Sequence, residues 1–220
     1  KSVMQSMFLD ETTEDEVLDV IQSLRNKSAA VIDGITSIHV KQLKIELTPY
    51  IVHLVNRIFS TGYFPQIFKT AVIVPIHKSG SKTMINNFRP ISVLTTFNKI
   101  VEKIIHKRLV DYTEYAGIMY RHQYGYIRKS GTETAAQELV DHVRRVLDNK
   151  SKASLVFMDL QKAFDTVCID RLLHCLETYG IRGTAQCLFK SFLSNRKQVV
   201  RIGNSFSKSR SFTRGVIQGS

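Results

Sequence analysis

The stretch Ala153–Val167, ASLVFMDLQKAFDTV, decides how the rest of the chain is read. It opens on the apolar run Leu155-Val156-Phe157-Met158, short and β-rich enough to predict a buried strand. Asp159 follows at once, and a carboxylate at the exit of a buried strand is within reach of solvent, a metal and a substrate. A large aromatic, Phe164, and a second acid, Asp165, come next. Taken alone, the pattern reads better as an ordinary turn, with Asp159 as its cap and Asp165 paired to Lys162, because short motifs match by chance. The remainder of the chain separates the two readings.

At 220 residues the chain can hold one large domain or two small ones sharing a core. The composition is globular: 43% hydrophobic, 23% charged and only four prolines. No apolar run is long enough to span a bilayer, and the start has no signal-peptide pattern. The chain begins at Lys1, so the natural N-terminus is expected elsewhere. Cys168, Cys175 and Cys187 are odd in number and lack metal-ligand spacing, which suits a reduced, intracellular setting. The formal charge of +12, from 31 basic and 19 acidic residues, argues for a polyanionic partner. After Glu177 there is no acid, while Arg182, Lys190, Arg196, Lys197, Arg201, Lys208, Arg210 and Arg214 follow. A one-sign tail with strands in it reads as a phosphate-tracking surface.

Thr13-Glu14-Asp15-Glu16 is a capping-box pattern opening a helix to about Lys27. A turn at Asp33-Gly34 and a helix through Val40, Leu43 and Leu47 follow, and Thr48-Pro49 is expected to start a third helix that closes at Gly62. Thr70–Ile76 reads as a strand whose Pro75 places it at an edge or strand end. A polar turn then leads to Asn87–Ser92, so Lys78 and Arg89 flank what looks like a hairpin; either cation alone would pass for solvated loop charge. Phe97 to Leu109 forms a long amphipathic helix. The loop His122–Arg128, with Gln123, Tyr124 and Arg128, mixes aromatics, glycine and a base, a place for a nucleic-acid strand to rest, although an ordinary loop with buried aromatics would look similar. Thr132 opens a helix with Ala136, Leu139, Val140, Val143 and Leu147 inward. Leu172–Leu176 and Ala185–Leu193 are shorter helices, and Gln198–Gly203 with Ser209–Arg214 reads as a hairpin turned at Asn204-Ser205.

Together these stretches resemble the reverse transcriptase of non-LTR (LINE-type) retrotransposons. The matching pieces occur in the family's order: Asp33-Gly34-Ile35, Ala71–Lys78, Asn87–Leu94 (NFRPISVL), Gln123–Arg128 (QYGYIR), Phe157–Val167 (FMDLQKAFDTV) and Gly215–Ser220 (GVIQGS). The resemblance implies an α+β fold, a right-hand polymerase core of fingers and palm truncated within the palm. Residues 1–115 would be a fingers-type region with N-terminal helices, and 116–220 a fingers/palm region with the first catalytic-carboxylate motif. It implies an RNA template, a DNA primer or target, deoxynucleoside triphosphates and two Mg²⁺ ions in the complete enzyme. Asp159 would be the catalytic metal ligand, with the backbone carbonyl of Leu160 beside it, because Mg²⁺ takes hard oxygen donors. Phe164 resembles the steric gate against a ribose 2′-hydroxyl, and Asp165 would support the site from behind. Lys78 and Arg89 resemble the fingers cations that hold the triphosphate. Gln218 resembles the residue under the nucleotide sugar and template, and Gly219 would let backbone approach nucleic acid closely. Nothing in the sequence fixes an oligomeric state or calls for a membrane; the nucleus or a ribonucleoprotein particle is the expected location.

Ala30-Val31 and Ile217 depart from the family pattern, which has Pro-Gly before the first turn and proline before Gln-Gly. The family's downstream aromatic-x-Asp-Asp turn does not occur in these 220 residues, so this stretch alone is expected to be inactive. The alternatives are a non-catalytic nucleic-acid-binding remnant of a decayed element, or a group II intron-type reverse transcriptase or maturase. A viral RNA polymerase shares the palm logic, but Phe164 and NFRPIS speak against it.

Overall fold

The computed structural model describes residues 3–26, 33–128 and 130–217. The Ala30-Val31 departure, Gln218 and Gly219 lie outside them. By contacts the chain divides into two compact units, one of residues 1–112 with 162–220 and a smaller one of residues 113–161.

In the larger unit, α1 (Glu14–Ser23) starts at Thr13, whose hydroxyl accepts from the Glu16 amide at 3.3 Å. This helix stops sooner than its sequence pattern predicts, with Leu24 as its C-cap. α2 (Ser37–Gln42) has a reciprocal cap: the Thr36 hydroxyl accepts from the His39 amide, and His39 Nδ1 accepts from the Thr36 amide. The chain breaks at Leu43, and α3 (Lys44–Thr61) is one helix running through Pro49. The expected restart at Thr48-Pro49 is therefore displaced toward the N-terminus. Pro49 lacks only one amide near the helix start, and Thr48 turns its hydroxyl onto the Lys44 carbonyl at 2.7 Å. Gly62 ends α3 in the left-handed region (φ 64°), as the sequence predicts.

β1 (Thr70–His77) pairs antiparallel with β2 (Phe88–Val93) and parallel with β3 (Lys197–Ile202). The sheet order is β2-β1-β3-β4, where β4 is Ser205–Phe206, and β5 (Arg210–Ser211) also pairs with β3. β1 is thus interior along its first half only. Its pairing with β3 ends at Ile73, so Pro75 lies where that side is open and opposes Pro90 on the other. The turn from β3 to β4 is Gly203-Asn204, one residue earlier than expected, with Gly203 at φ 58°.

α4 (Thr96–Tyr115) spreads Ile100, Val101, Ile104 and Ile105 into the core. That core also takes Val17 and Ile21 of α1, Ile51, Val55 and Ile58 of α3, Phe64, Val72, and Leu188 of α8 (Gly183–Leu193), the helix that follows α7 (Ile169–Thr178). Each such side chain removed from water contributes about 1.5–3 kcal/mol. Polar ties cross the same helices. Glu16 receives both terminal guanidinium nitrogens of Arg108 at 2.7 Å and Lys107 at 2.8 Å. Tyr112 directs its hydroxyl at the Gln5 and Tyr179 carbonyls, both 2.9 Å away.

The smaller unit contains α5 (Thr132–Asp148), a helix as expected, but none of its residues is buried. The apolar stripe expected to face inward leaves Val140 and Leu147 exposed. No strand forms at Leu155–Met158, which overturns the expected central strand. Residues 152–161 make no backbone hydrogen bonds among the described residues, and Val156, Phe157 and Met158 are more than four-fifths exposed. β-propensity is a fit to a paired, half-covered surface, and the run has neither pairing nor cover. The right-hand description of fingers and palm comes from the resemblance; what the described residues show is a mixed fold of helices and one sheet.

Candidate nucleotide and nucleic-acid site

The β1–β2 hairpin carries the first expected pair. Ile76 opposes Arg89, and one rung beyond the strand ends the Lys78 amide donates to the Asn87 carbonyl at 2.8 Å. Side chains two residues apart on a strand share a face, so Lys78 and Arg89 stand diagonally on one side of the hairpin, both exposed. Their connection is ordered by its own contacts. His77 Nε2 lies 3.0 Å from the Gly80 carbonyl, and Asn87 Nδ2 donates to the Ser81 carbonyl at 2.9 Å.

The motif after Asp159 is built differently from a strand exit. Lys162 sits in the left-handed region (φ 51°), and its carbonyl accepts from the amides of Asp165 and Thr166. This sets α6 (Ala163–Thr166), a single turn carrying Phe164 and Asp165. Phe164 is 37% exposed, so its ring has an open side. The Gly215 amide donates to the Val167 carbonyl at 2.8 Å and the Val216 amide to the Phe164 carbonyl at 2.9 Å, while Cys168 bridges Arg214. The backbone of the GVIQGS stretch is thereby brought onto the FDTV stretch, and Gln218 and Gly219 follow Ile217 directly in sequence. Gly215 makes this approach possible: at φ 85°, an added Cβ would stand 3.0 Å from the Asp165 Cα and from the Phe164 and Asp165 carbonyl oxygens. The sequence pattern singles out Gly219 for close approach and does not single out Gly215, four residues earlier in the same motif.

Asp159 and Leu160 belong to the smaller unit, in the exposed run without helix or strand. Gln123, Tyr124 and Arg128 also belong to it. Tyr124 donates its hydroxyl to Glu138 of α5, and His122 Nδ1 lies 2.7 Å from the other oxygen of that carboxylate. These bonds hold the Glu138 carboxyl below its ordinary range and push the Tyr124 phenol up. Gln123 donates to the Gly125 carbonyl at 3.3 Å, and Gln123 and Arg128 are exposed. Glu138 organises this loop, a role that no signal in the sequence marked beyond its place on an amphipathic helix.

Among the described residues no group of three or more His, Cys, Asp or Glu side chains comes together as a metal site. The donors singled out are one carboxylate, Asp159, and one carbonyl, Leu160. That set does not hold two Mg²⁺ ions, and it falls short of the octahedral oxygen shell of even one without substrate and water. Among the described residues, no helix is long and apolar enough to cross a membrane.

Residues 76–220 match the family model described as reverse transcriptase (RNA-dependent DNA polymerase). The chain therefore belongs to the reverse transcriptase family. It is 32% identical over 213 residues to the probable RNA-directed DNA polymerase from transposon BS of Drosophila melanogaster, a match covering 94% of this chain and 23% of the relative. It is 29% identical over 216 residues to the RNA-directed DNA polymerase from mobile element jockey of the same species, covering 98% and 24% respectively. The probable RNA-directed DNA polymerase from transposon X-element is 31% identical over 210 residues, covering 93% and 23%. These relatives are non-LTR retrotransposon polymerases, as the motifs led one to expect, and the chain spans about a quarter of their length.

Proposed function

We propose that the chain is the fingers and the first half of the palm of a non-LTR retrotransposon RNA-directed DNA polymerase. The full-length protein adds deoxynucleotides to a primer 3′-hydroxyl on an RNA template. The observation that carries this reading is the junction of Gly215–Val216 with Phe164–Val167, which supports the backbone of the last motif lying against the turn that carries Phe164. In that site Phe164 occupies the space of a ribose 2′-hydroxyl, so deoxynucleotides enter and ribonucleotides clash. Lys78 and Arg89, on one face of an ordered hairpin, bind the triphosphate, Arg89 through its two-pronged guanidinium. Asp165 supports the turn behind Phe164. Gln123, Tyr124, Arg128 and Gly219 contact the nucleic acid. Asp159, with the Leu160 carbonyl, would contribute oxygen ligands to Mg²⁺ in the full-length protein, where such ions would supply charge neutralisation at the reacting phosphate. The nucleus or a ribonucleoprotein particle is the fitting location for such a protein.

The test is selectivity between nucleotides in primer extension by the full-length protein on RNA. The parent extends with deoxynucleotides and poorly with ribonucleotides, and Phe164→Val raises ribonucleotide use by at least about tenfold, the equivalent of removing about 1.4 kcal/mol of discrimination. A Phe164→Val protein as selective as the parent contradicts the role given to that ring.

A further inference from the structure

The five strands among the described residues contain no acidic residue at all. Between Leu47 and Val101, and again from Thr178 onward, the sequence has neither Asp nor Glu, and every strand falls in those two intervals. The register of the sheet then sorts its cations by face. Arg201 of β3 opposes Phe206 of β4 directly, so the two share a face. Val199 of β3 is beside Val72, and the face they share continues two residues on to Arg201 in β3 and to Val74 in β1. Val74 in turn opposes Ile91, on the same face as the Ile76–Arg89 pair and Lys78. Phe206 is 55% exposed, an aromatic ring open to solvent beside an arginine. Among the described residues Arg201 makes no side-chain hydrogen bond or ion pair.

We propose that Arg201 and Phe206 form a subsite for one unit of an unpaired polynucleotide strand, the base stacked on the Phe206 ring and its phosphate held by Arg201. An exposed ring with a cation next to it, on a face free of acid, is the composition that binds single strands without reading their sequence. The inference rests on the polymerase reading in one respect: the strand is taken to be the template ahead of the nucleotide held at Lys78 and Arg89. Stacking and phosphate contact do not sense a 2′-hydroxyl, so RNA and DNA strands bind alike.

The experiment is fluorescence anisotropy of the 220-residue chain with a labelled uridine-rich RNA about 12 nucleotides long, and with the DNA of the same sequence. Phe206→Ala weakens binding of both by about 5- to 100-fold, and Phe206→Trp restores it. Arg201→Gln weakens binding and lowers the slope of log affinity against log salt by about 0.7, the contribution of one phosphate contact on a single strand. Parental affinity in both variants overturns the subsite and leaves the polymerase reading standing, since that reading is judged by nucleotide selectivity at Phe164. A Phe206→Trp chain as weak as Phe206→Ala overturns the stacking, and a loss confined to RNA overturns the assignment to base and phosphate.

Discussion

Gly215 is where one residue decides the most about the site. Its left-handed φ of 85° and its 3.0 Å clearance from the backbone of Phe164 and Asp165 exclude any side chain without movement of one strand or the other. Gly215→Ala should destabilise the junction by about 1–3 kcal/mol, the usual cost of a strained backbone position. Hydrogen exchange of the Gly215 and Val216 amides reads this directly: both should exchange faster in the variant, while core amides of α3 and α4 keep their protection. Unchanged exchange would mean that the two segments separate without loss. At this scale the sequence was informative about identity and silent about placement. Phe164, Asp165, Lys78 and Arg89 were named from motifs, and the hairpin register that sets the last two on one face follows from the alternation of strand residues. The clasp at Gly215 was not legible, because a glycine in a loop advertises permissive backbone without saying what comes near it.

Among the elements, the helices were the most legible and the strand at 155–158 the least. Helical periodicity in α1, α3 and α4 is a local property, and their apolar residues reach the core. A strand is completed by a neighbour, and the apolar run Leu155–Met158 names no neighbour. The same limit explains β1, whose parallel partner β3 lies more than a hundred residues away in sequence. Two ion pairs between elements give predictions of opposite kind. Arg108 and then Lys107 and Thr12 hold the Glu16 carboxyl at about 2, against an ordinary value of 4.5. A lowered acid stabilises the fold above the unfolded value, and this contribution is lost as pH falls from about 4.5 toward 2. Urea unfolding at pH 6 and pH 3 should show a smaller acid-induced loss for Glu16→Gln than for the parent. The second pair, Arg196 with Glu102 at 3.4 Å, is deep: burial raises the Glu102 carboxyl and lowers the Arg196 guanidinium, each against the pull of its partner. Arg196 also lies over the Phe192 ring, 4.2 Å from its centre, and among the described residues its Nη1 has no hydrogen-bond partner. Glu102→Gln leaves that cation buried without a counter-charge and should cost about 3–5 kcal/mol, whereas Glu102→Leu combined with Arg196→Met should cost less than either single change. Equal or additive losses in the unfolding midpoints would show that the pair is not coupled through burial.

For the whole molecule, the charge of +12 is spread so that the sheet carries only cations, and this is the feature that ties the fold to a polyanionic partner. Composition showed the net charge and the acid-free C-terminal tail. It did not show that a second acid-free interval, Leu47–Val101, folds beside that tail into one sheet, because the parallel pairing of β1 with β3 is a long-range event. The family was legible from the order of its motifs, and the match of residues 76–220 bears that out. The central claim, polymerisation dependent on Asp159, is tested most directly by Mg²⁺-dependent primer extension on an RNA template with the full-length protein and its Asp159→Ala variant. The account predicts extension by the parent and none by the variant, with nucleic-acid binding retained in both. Extension by Asp159→Ala at the parental rate would contradict it.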